Sequence, residues 1–322
     1  MATQRLGHSG IEVSTVGLGC NAFGSRVDAG GTRLVIDAAE EAGVTLLDTA
    51  DVYGLGASET LLGEALRGRR ERFVIATKFG MDMQGVNGDD GGRRGSAGYV
   101  RRAVEASLRR LQTDYIDLYQ LHTPDRQTPL EETLTALSEL VEEGLVRAVG
   151  CSNFAAWEVV DADWRARTTG RARFATAQNE YSLYNRAAEA ELVPACVALD
   201  VGILPYFPLA YGLLTDKYRP GVPAPAGSRL AEPRQEHRLA GADWDRIARL
   251  RSFAEERGID LLTLAVGGLA AQPGVASVIA GVSRPEQVLA NVAAARWQPA
   301  ADDLDALARI GSPVTGYTTY AT

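Results

Sequence analysis

Eight short apolar, β-branched runs, separated by stretches whose apolar residues recur at helical spacing, leave this chain few folds. The strand candidates are residues 15–19, 45–48, 73–78, 116–122, 148–152, 175–178, 202–206 and 277–281. Helical spacing occupies residues 32–42, 58–67, 97–111, 129–143, 155–163, 187–198, 245–257 and 261–271. Strands that alternate with helices pair in parallel, because only a parallel pair needs so long a crossover. Eight is the number of parallel strands that closes into a barrel. The expected architecture is therefore an α/β fold, a (β/α)8 barrel. With 322 residues and 46% hydrophobic content the chain can fill such a core. No segment reads as an interdomain linker, so a single domain over residues 1–322 is expected.

Ahead of the first strand, Leu6-Gly7-His8-Ser9-Gly10-Ile11-Glu12-Val13 reads as a small N-terminal β-hairpin with a polar, glycine-containing turn. Two long irregular stretches stand out. Residues 81–96 are rich in Gly, Asp and Arg, and residues 211–236 are punctuated by Pro220, Pro223, Pro225 and Pro233. Loops this long in a compact fold are commonly functional. Each follows a strand candidate, which puts it on the C-terminal face of a barrel, where active sites lie.

The formal charge of −8 argues against a general nucleic-acid binder, which needs a basic face. It leaves room for an anionic cofactor, since a few local Arg or Lys residues suffice. Cys20, Cys151 and Cys196 are far apart, odd in number and without metal-ligand spacing, so no metal is expected. Met1-Ala2-Thr3-Gln4-Arg5 carries no signal-peptide apolar segment, and no run reaches membrane-spanning length. A cytoplasmic protein without a membrane partner is the expectation. Nothing in the sequence sets the oligomeric state.

Chemistry concentrates at the strand ends. The run Leu46-Leu47 ends in Asp48, Tyr53 follows five residues later, and the next two runs end in Lys78 and His122. A barrel would bring these groups into one pocket. Hydride transfer to a carbonyl needs a proton for the developing alkoxide, and a free tyrosine gives one up poorly at neutral pH. A neighbouring ammonium favours the phenolate, a carboxylate keeps the lysine charged, and a histidine can orient the substrate oxygen. Each residue also has an ordinary reading: Tyr53 as an edge-of-core aromatic, Asp48 as a turn cap, Lys78 as a solvated strand end, His122 bonded to backbone. Their placement on three successive strands favours the joint one.

Here the chain resembles the aldo-keto reductase family. The matching stretches are Leu6-Gly7-His8-Ser9-Gly10, Gly17-Leu18-Gly19, Gly43 through Gly54 with Ser58-Glu59, Thr77-Lys78, Leu121-His122, Gly150-Cys151-Ser152-Asn153 and Gln178-Asn179. Tyr206-Phe207-Pro208-Leu209, Gly212-Leu213-Leu214 and the segment from Gly281 to Asn291 complete them. The resemblance implies a TIM barrel binding a nicotinamide cofactor without a Rossmann domain. It implies Tyr53 as general acid, Lys78 and Asp48 as its tuners, and His122 positioning the carbonyl of a small-molecule substrate. The loop at 211–236 looks like that of members related to potassium-channel β-subunits. Two positions depart from the family pattern. Asn21 stands where many members carry a bulky apolar residue, and Ala280 replaces a common proline. Phe23, Met81 and Met83 are further candidates for the pocket wall.

By the same resemblance, Ser152, Asn153 and Gln178 fix the nicotinamide carboxamide and Tyr206 stacks beneath the ring. Pro208, Leu209, Gly212 and Gly281 belong to the cofactor-binding stretches, and Lys217 and Arg229 are candidate pyrophosphate partners. Ser283 and Arg284 take the adenosine 2′-phosphate, with Gln287 and Asn291 nearer the adenine, which favours NADPH over NADH. Ser283 and Glu286 also have the spacing of a capping box, with Pro285 in the first turn. That is compatible with phosphate binding at a helix N-terminus, where Arg284 could grip the oxygens.

Gly17-Leu18-Gly19-Cys20-Asn21-Ala22 formally matches a dinucleotide fingerprint, G-x-G-x-x-[GA]. A Rossmann helix should begin within that motif, whereas here the helical pattern starts near Thr32 and Asp37 falls inside it. The Rossmann reading fails. Two rivals stay open: a Schiff-base aldolase working through Lys78, and a regulatory protein that holds NADPH as a redox sensor with slow or vestigial turnover.

Overall fold

The computed structural model describes residues 1–311, so residues 312–322, the end of the expected domain, lie outside the described residues. A two-stranded antiparallel hairpin, β1 (Thr3–Arg5) and β2 (Glu12–Ser14), precedes the barrel. Against the stretch read from the sequence, β1 lies wholly ahead of Leu6 and β2 takes only Glu12 and Val13 of it, because Leu6–Ile11 is used up in a tight 3-10 turn and its return. Gly7 is forced there: its φ is +51°, and a Cβ would sit 2.4 Å from the Ala175 carbonyl oxygen.

The barrel strands are β3 (Val16–Gly19), β4 (Leu46–Asp48), β5 (Val74–Phe79), β6 (Ile116–Leu121), β7 (Val146–Ser152), β8 (Phe174–Gln178), β9 (Gly202–Ile203) and β10 (Val278–Gly281). All neighbours pair in parallel in the order β10-β3-β4-β5-β6-β7-β8-β9. The two open edges then meet. Ile203 N–H donates to the Gly274 carbonyl at 2.8 Å, Ala276 N–H to Ile203 at 2.9 Å and Ile279 N–H to Pro205 at 2.9 Å. The (β/α)8 barrel is closed by these bonds.

The expected strand at 202–206 shrinks to Gly202–Ile203 because Pro205 has no N–H to give the ladder. Tyr206 still makes isolated bridges to Glu180 and Ile279.

Around the barrel run α1 (Ala29–Glu41), α2 (Ala57–Ala65), α3 (Ala97–Leu111), α4 (Leu130–Glu142), α5 (Ala156–Thr169) and α6 (Leu192–Leu199). Then come α7 (Glu236–Ala240), α8 (Trp244–Glu255), α9 (Leu261–Ala270), α10 (Pro285–Ala294) and α11 (Ala301–Ile310). Helix α1 starts before residue 32 because Asp28 caps it, accepting from Gly31 N–H at 2.8 Å. The helix expected over 187–198 begins late instead. Pro194 is tolerated only in a first turn, so α6 starts at Leu192, and a separate 3-10 turn holds Ala187–Glu189.

The inward faces explain how the site is placed. Leu46, Ala76, Leu118 and Ala148 join Leu6, Ile11 and Val13 of the hairpin region in one apolar cluster. Side chains alternate along a strand, so two residues further on come Asp48, Lys78, Gln120 and Gly150. The apolar layer therefore sits below, and the polar layer opens at the C-terminal mouth. The larger cluster, between strands and helices, takes the alternate residues, Leu47 and Ile75 among them.

Cys20, Cys151 and Cys196 are free and buried. Among the described residues no helix is long and apolar enough to cross a membrane.

Candidate active site

The polar layer is wired before any ligand arrives. Lys78 is wholly buried, and its Nζ donates to Asp48 Oδ1 at 2.7 Å and to the Thr49 carbonyl at 2.8 Å. Gln178 Nε2 donates to the same Asp48 oxygen at 2.8 Å. The Lys78 ammonium lies 5.3 Å from the Tyr53 ring centre, and the His122 ring meets that of Tyr53 edge-on at 5.9 Å. The four groups read from the sequence are thus neighbours, drawn from the ends of β4, β5 and β6 and the β4–α2 loop.

Their protonation follows from burial and from one another. Burial works against the Lys78 ammonium, but the Asp48 carboxylate and Tyr53 outweigh it and hold the pKa above its ordinary value. Burial pushes the Tyr53 phenol up, and the Lys78 charge pulls it back only in part. The sequence reading had Lys78 lowering this pKa; the interaction has that sign, but desolvation wins. The resting phenol keeps its proton, the form a general acid must have. Burial and then the Lys78 charge drive His122 well below its usual value, so the imidazole is neutral. Its Nδ1 is buried with no hydrogen-bond partner among the described residues.

Asp48, Tyr53 and His122 line one wall of a cavity of about 570 Å³. Ser152, Asn153, Gln178, Tyr206, Pro208, Leu209 and Gly212 line it too, as do Lys217, Arg229, Gly281, Ser283, Arg284 and Gln287. Two candidates lie off it: Lys78, behind Asp48, and Asn291, buried on α10. Asn21 and Met81 line the cavity, whereas Phe23 and Met83 are packed in the interior. Apolar burial claims those two side chains.

Asn153 organises the floor. In the left-handed region at φ 61°, it donates from Nδ2 to the His122 carbonyl at 3.0 Å and to Ser152 Oγ at 3.1 Å. Its Oδ1 accepts from the Tyr206 hydroxyl at 2.7 Å. Gln178 is held by its Nε2, which leaves the amide oxygen for a ligand.

Ser283 does not cap α10. Arg284 is the N-cap residue and Pro285 the first helical one, so the N3 position falls on Gln287 rather than Glu286. Gln287 Oε1 reaches back to accept from Ser283 N–H at 2.8 Å and from its hydroxyl at 3.2 Å. The expected capping box is replaced by this neighbouring arrangement.

Among the cavity residues to which sequence reasoning gave no role are Arg26, Thr123, Phe207 and Tyr211. Arg229 lies 4.7 Å from the Phe207 ring and 5.3 Å from that of Tyr211. Burial and then the nearby Arg26 charge lower its pKa. Among the described residues four cations, Arg26, Lys217, Arg229 and Arg284, therefore line a cavity whose one acidic lining residue, Asp48, is tied to Lys78. Such a lining suits a polyanion. Gly19 and Gly281, which also line the cavity, face each other across β3 and β10, and a Cβ on Gly19 would come 3.2 Å from Gly281 Cα. The missing side chains give a ligand access to the backbone.

A closed (β/α)8 barrel with a buried ammonium–carboxylate pair, a protonated phenol and a neutral imidazole at its mouth has the equipment of an oxidoreductase. Residues 15–311 match the Aldo/keto reductase family, and the chain belongs to it. It is 32% identical over 303 residues to a probable voltage-gated potassium channel subunit beta of Oryza sativa subsp. japonica, covering 91% of each chain. To an uncharacterised oxidoreductase, YrpG, of Bacillus subtilis (strain 168) it is 35% identical over 294 residues, 88% of this chain and 87% of that one. Protein tas of Escherichia coli (strain K12) is 34% identical over 322 residues, 91% of this chain and 92% of its own.

Proposed function

We propose that the chain reduces an aldehyde or ketone to an alcohol, reversibly, with NADPH as cofactor and Tyr53 as proton donor. One observation carries this reading: Asp48, Tyr53 and His122 line the same cavity as the four cations. A phenol beside a carbonyl-sized space serves reduction, and a cationic rim serves a phosphate-rich cofactor.

When bound, the nicotinamide supplies the hydride. The chain's own residues do the rest. Ser152, Asn153 and Gln178 offer hydroxyl and amide groups at the end of β7 and β8 to hold the carboxamide, and Tyr206 offers its ring face. The neutral His122 orients the carbonyl oxygen by a hydrogen bond. Tyr53 Oη gives its proton to that oxygen as charge develops there. Lys78, kept charged by Asp48, stabilises the phenolate left behind. Lys217, Arg229 and Arg26 lie along the cavity for the pyrophosphate, and Ser283 and Arg284 at the start of α10 for a 2′-phosphate.

The test is cofactor oxidation, followed by absorbance, over a panel of small aldehydes and ketones. Turnover that depends on Tyr53 supports the proposal. Tight NADPH binding without turnover on any of them would favour the redox-sensor reading, and trapping of a substrate on Lys78 by borohydride would favour the aldolase.

A second expected outcome concerns the cofactor. Arg284→Ala should weaken NADPH binding about 10–100-fold, the worth of one charged hydrogen bond, and leave NADH binding nearly unchanged. Titration of both cofactors by fluorescence checks it. Equal loss for both would remove the 2′-phosphate from this residue.

A further inference from the structure

Behind the Tyr53 segment lies a cluster of acids that the proposed reaction does not use. Asp51 and Glu59, the latter on α2, are both fully buried. Glu59 has both oxygens engaged: Thr77 Oγ1 donates at 2.6 Å and Arg110 Nε at 2.7 Å. Asp51 accepts on Oδ2 from Asn87 Nδ2 at 3.0 Å, while its Oδ1 has no hydrogen-bond partner among the described residues. Arg110, on α3, also donates to Asn87 Oδ1 at 3.1 Å. Two buried carboxyls therefore have one guanidinium beside them, and it is bonded to Glu59 rather than to Asp51. Tyr99 of α3 and Tyr119 of β6 face the same spot. Burial and then the Asp51 charge raise both phenols, so both stay neutral and add no further negative charge. An interior short of one positive charge keeps a proton instead. Glu59 is bonded as a carboxylate, which leaves the proton to Asp51.

The element covering Asp51 is irregular. Among residues 81–96 only Met83, Asn87 and Gly95 are buried. Gly95, at the far end, is tied by Thr133 Oγ1, which donates to its carbonyl at 2.7 Å, whereas the middle of the loop has its buried polar tie through Asn87, to Asp51. Met81, at the start of the same loop, lines the cavity.

We propose that Asp51 is a positioning residue working as a neutral carboxylic acid, which keeps the 81–96 loop closed, and that its ionisation favours opening of that loop. Once charged, Asp51 can reach water only if its cover moves, and the packed α2, α3 and β6 move less readily than a loop. The direction of titration agrees. Burial and then the Glu59 charge push the Asp51 carboxyl up to about 8, against the pull of Arg110, the Val52 N–H and Asn87. A carboxyl raised in the closed state favours closure fully below the ordinary carboxylate range near pH 4. The preference is lost as pH rises through about 8 and changes no further above it.

Hydrogen exchange of residues 84–92 in the full chain tests this, each rate taken relative to that of the free peptide. In the wild type the opening should rise about tenfold or more between about pH 6 and pH 8. Asp51→Asn, a neutral isostere that still accepts from Asn87, should show no such rise, and Asn87→Ala should be open already at the lower pH. A wild type without the rise, or Asp51→Asn rising in parallel with it, would overturn the proposal. If Asp51→Asn does not fold, Glu59→Gln decides. It leaves Arg110 to Asp51 and must move the rise to lower pH; an unmoved rise overturns the assignment.

The kinetic counterpart rests on the carbonyl-reduction reading. KM for the carbonyl should climb over the same range in the wild type but not in Asp51→Asn, while kcat keeps its own profile. Exchange as expected with an unchanging KM would overturn the link to the cavity. Absence of any turnover would bear on the reduction reading and leave the exchange result standing.

Discussion

Carbonyl reduction by Tyr53→Phe is expected to fall about 10²–10⁴-fold, the usual worth of a positioned general acid, while cofactor affinity holds. The substitution keeps the ring that meets His122 edge-on and removes only the hydroxyl. That hydroxyl carries its proton through the neutral range, because burial raises its pKa more than Lys78 lowers it. No other cavity-lining group of this part of the wall combines a proton to give with a place beside His122 and Lys78. The check is kcat/KM beside the cofactor Kd for both proteins. A parallel loss of both quantities would take the acid's role away from Tyr53.

Lys78→Met should be the most damaging single change to stability in the site, at about 3–5 kcal/mol. Methionine fills similar space, but Asp48 then stays buried with Gln178 as its remaining side-chain donor and no counter-charge. Adding Asp48→Asn to the same chain should recover much of the loss, since a neutral amide needs no ammonium. Urea unfolding of the two single variants, the double variant and the wild type gives the cycle. A cost below about 1 kcal/mol, the range of a solvated surface pair, would show that the pair is not the buried electrostatic unit described. The rate of reduction should fall with the single variant as well, because the phenolate loses its stabilising charge.

The strand ends were readable because a barrel converts strand order into proximity. Asp48, Lys78 and His122 are 30 and 44 positions apart in sequence, yet they end successive strands, and parallel pairing does the rest. The capping detail at α10 was not readable. Ser283 and Arg284 are both plausible first residues, and the choice turned on Gln287 reaching back to Ser283 rather than on any residue's intrinsic preference. Arg26 escaped for a different reason. Nothing in the turn after β3 distinguishes it from a solvated arginine, and its relation to Arg229 arises only when the 211–236 loop folds across the mouth. Phe207 and Tyr211 adopt φ values of 54° and 60°, conformations that side-chain type does not foretell. The shortened β9 could have been foreseen from Pro205 alone.

The three cysteines give the chain a chemical temperament of its own. Reactivity toward alkylating agents belongs to the thiolate, and here burial pushes the Cys20 and Cys151 thiols far up and that of Cys196 to about 12. Cys20 directly follows the cavity-lining Gly19, yet it is wholly covered and faces the Asp48 charge as well. The carbonyl compounds of the function proposed above are electrophiles. A sulfur shielded in this way is protonated and covered beside a cavity open to such compounds, so the packing around β3 withholds the thiolate that would react with them.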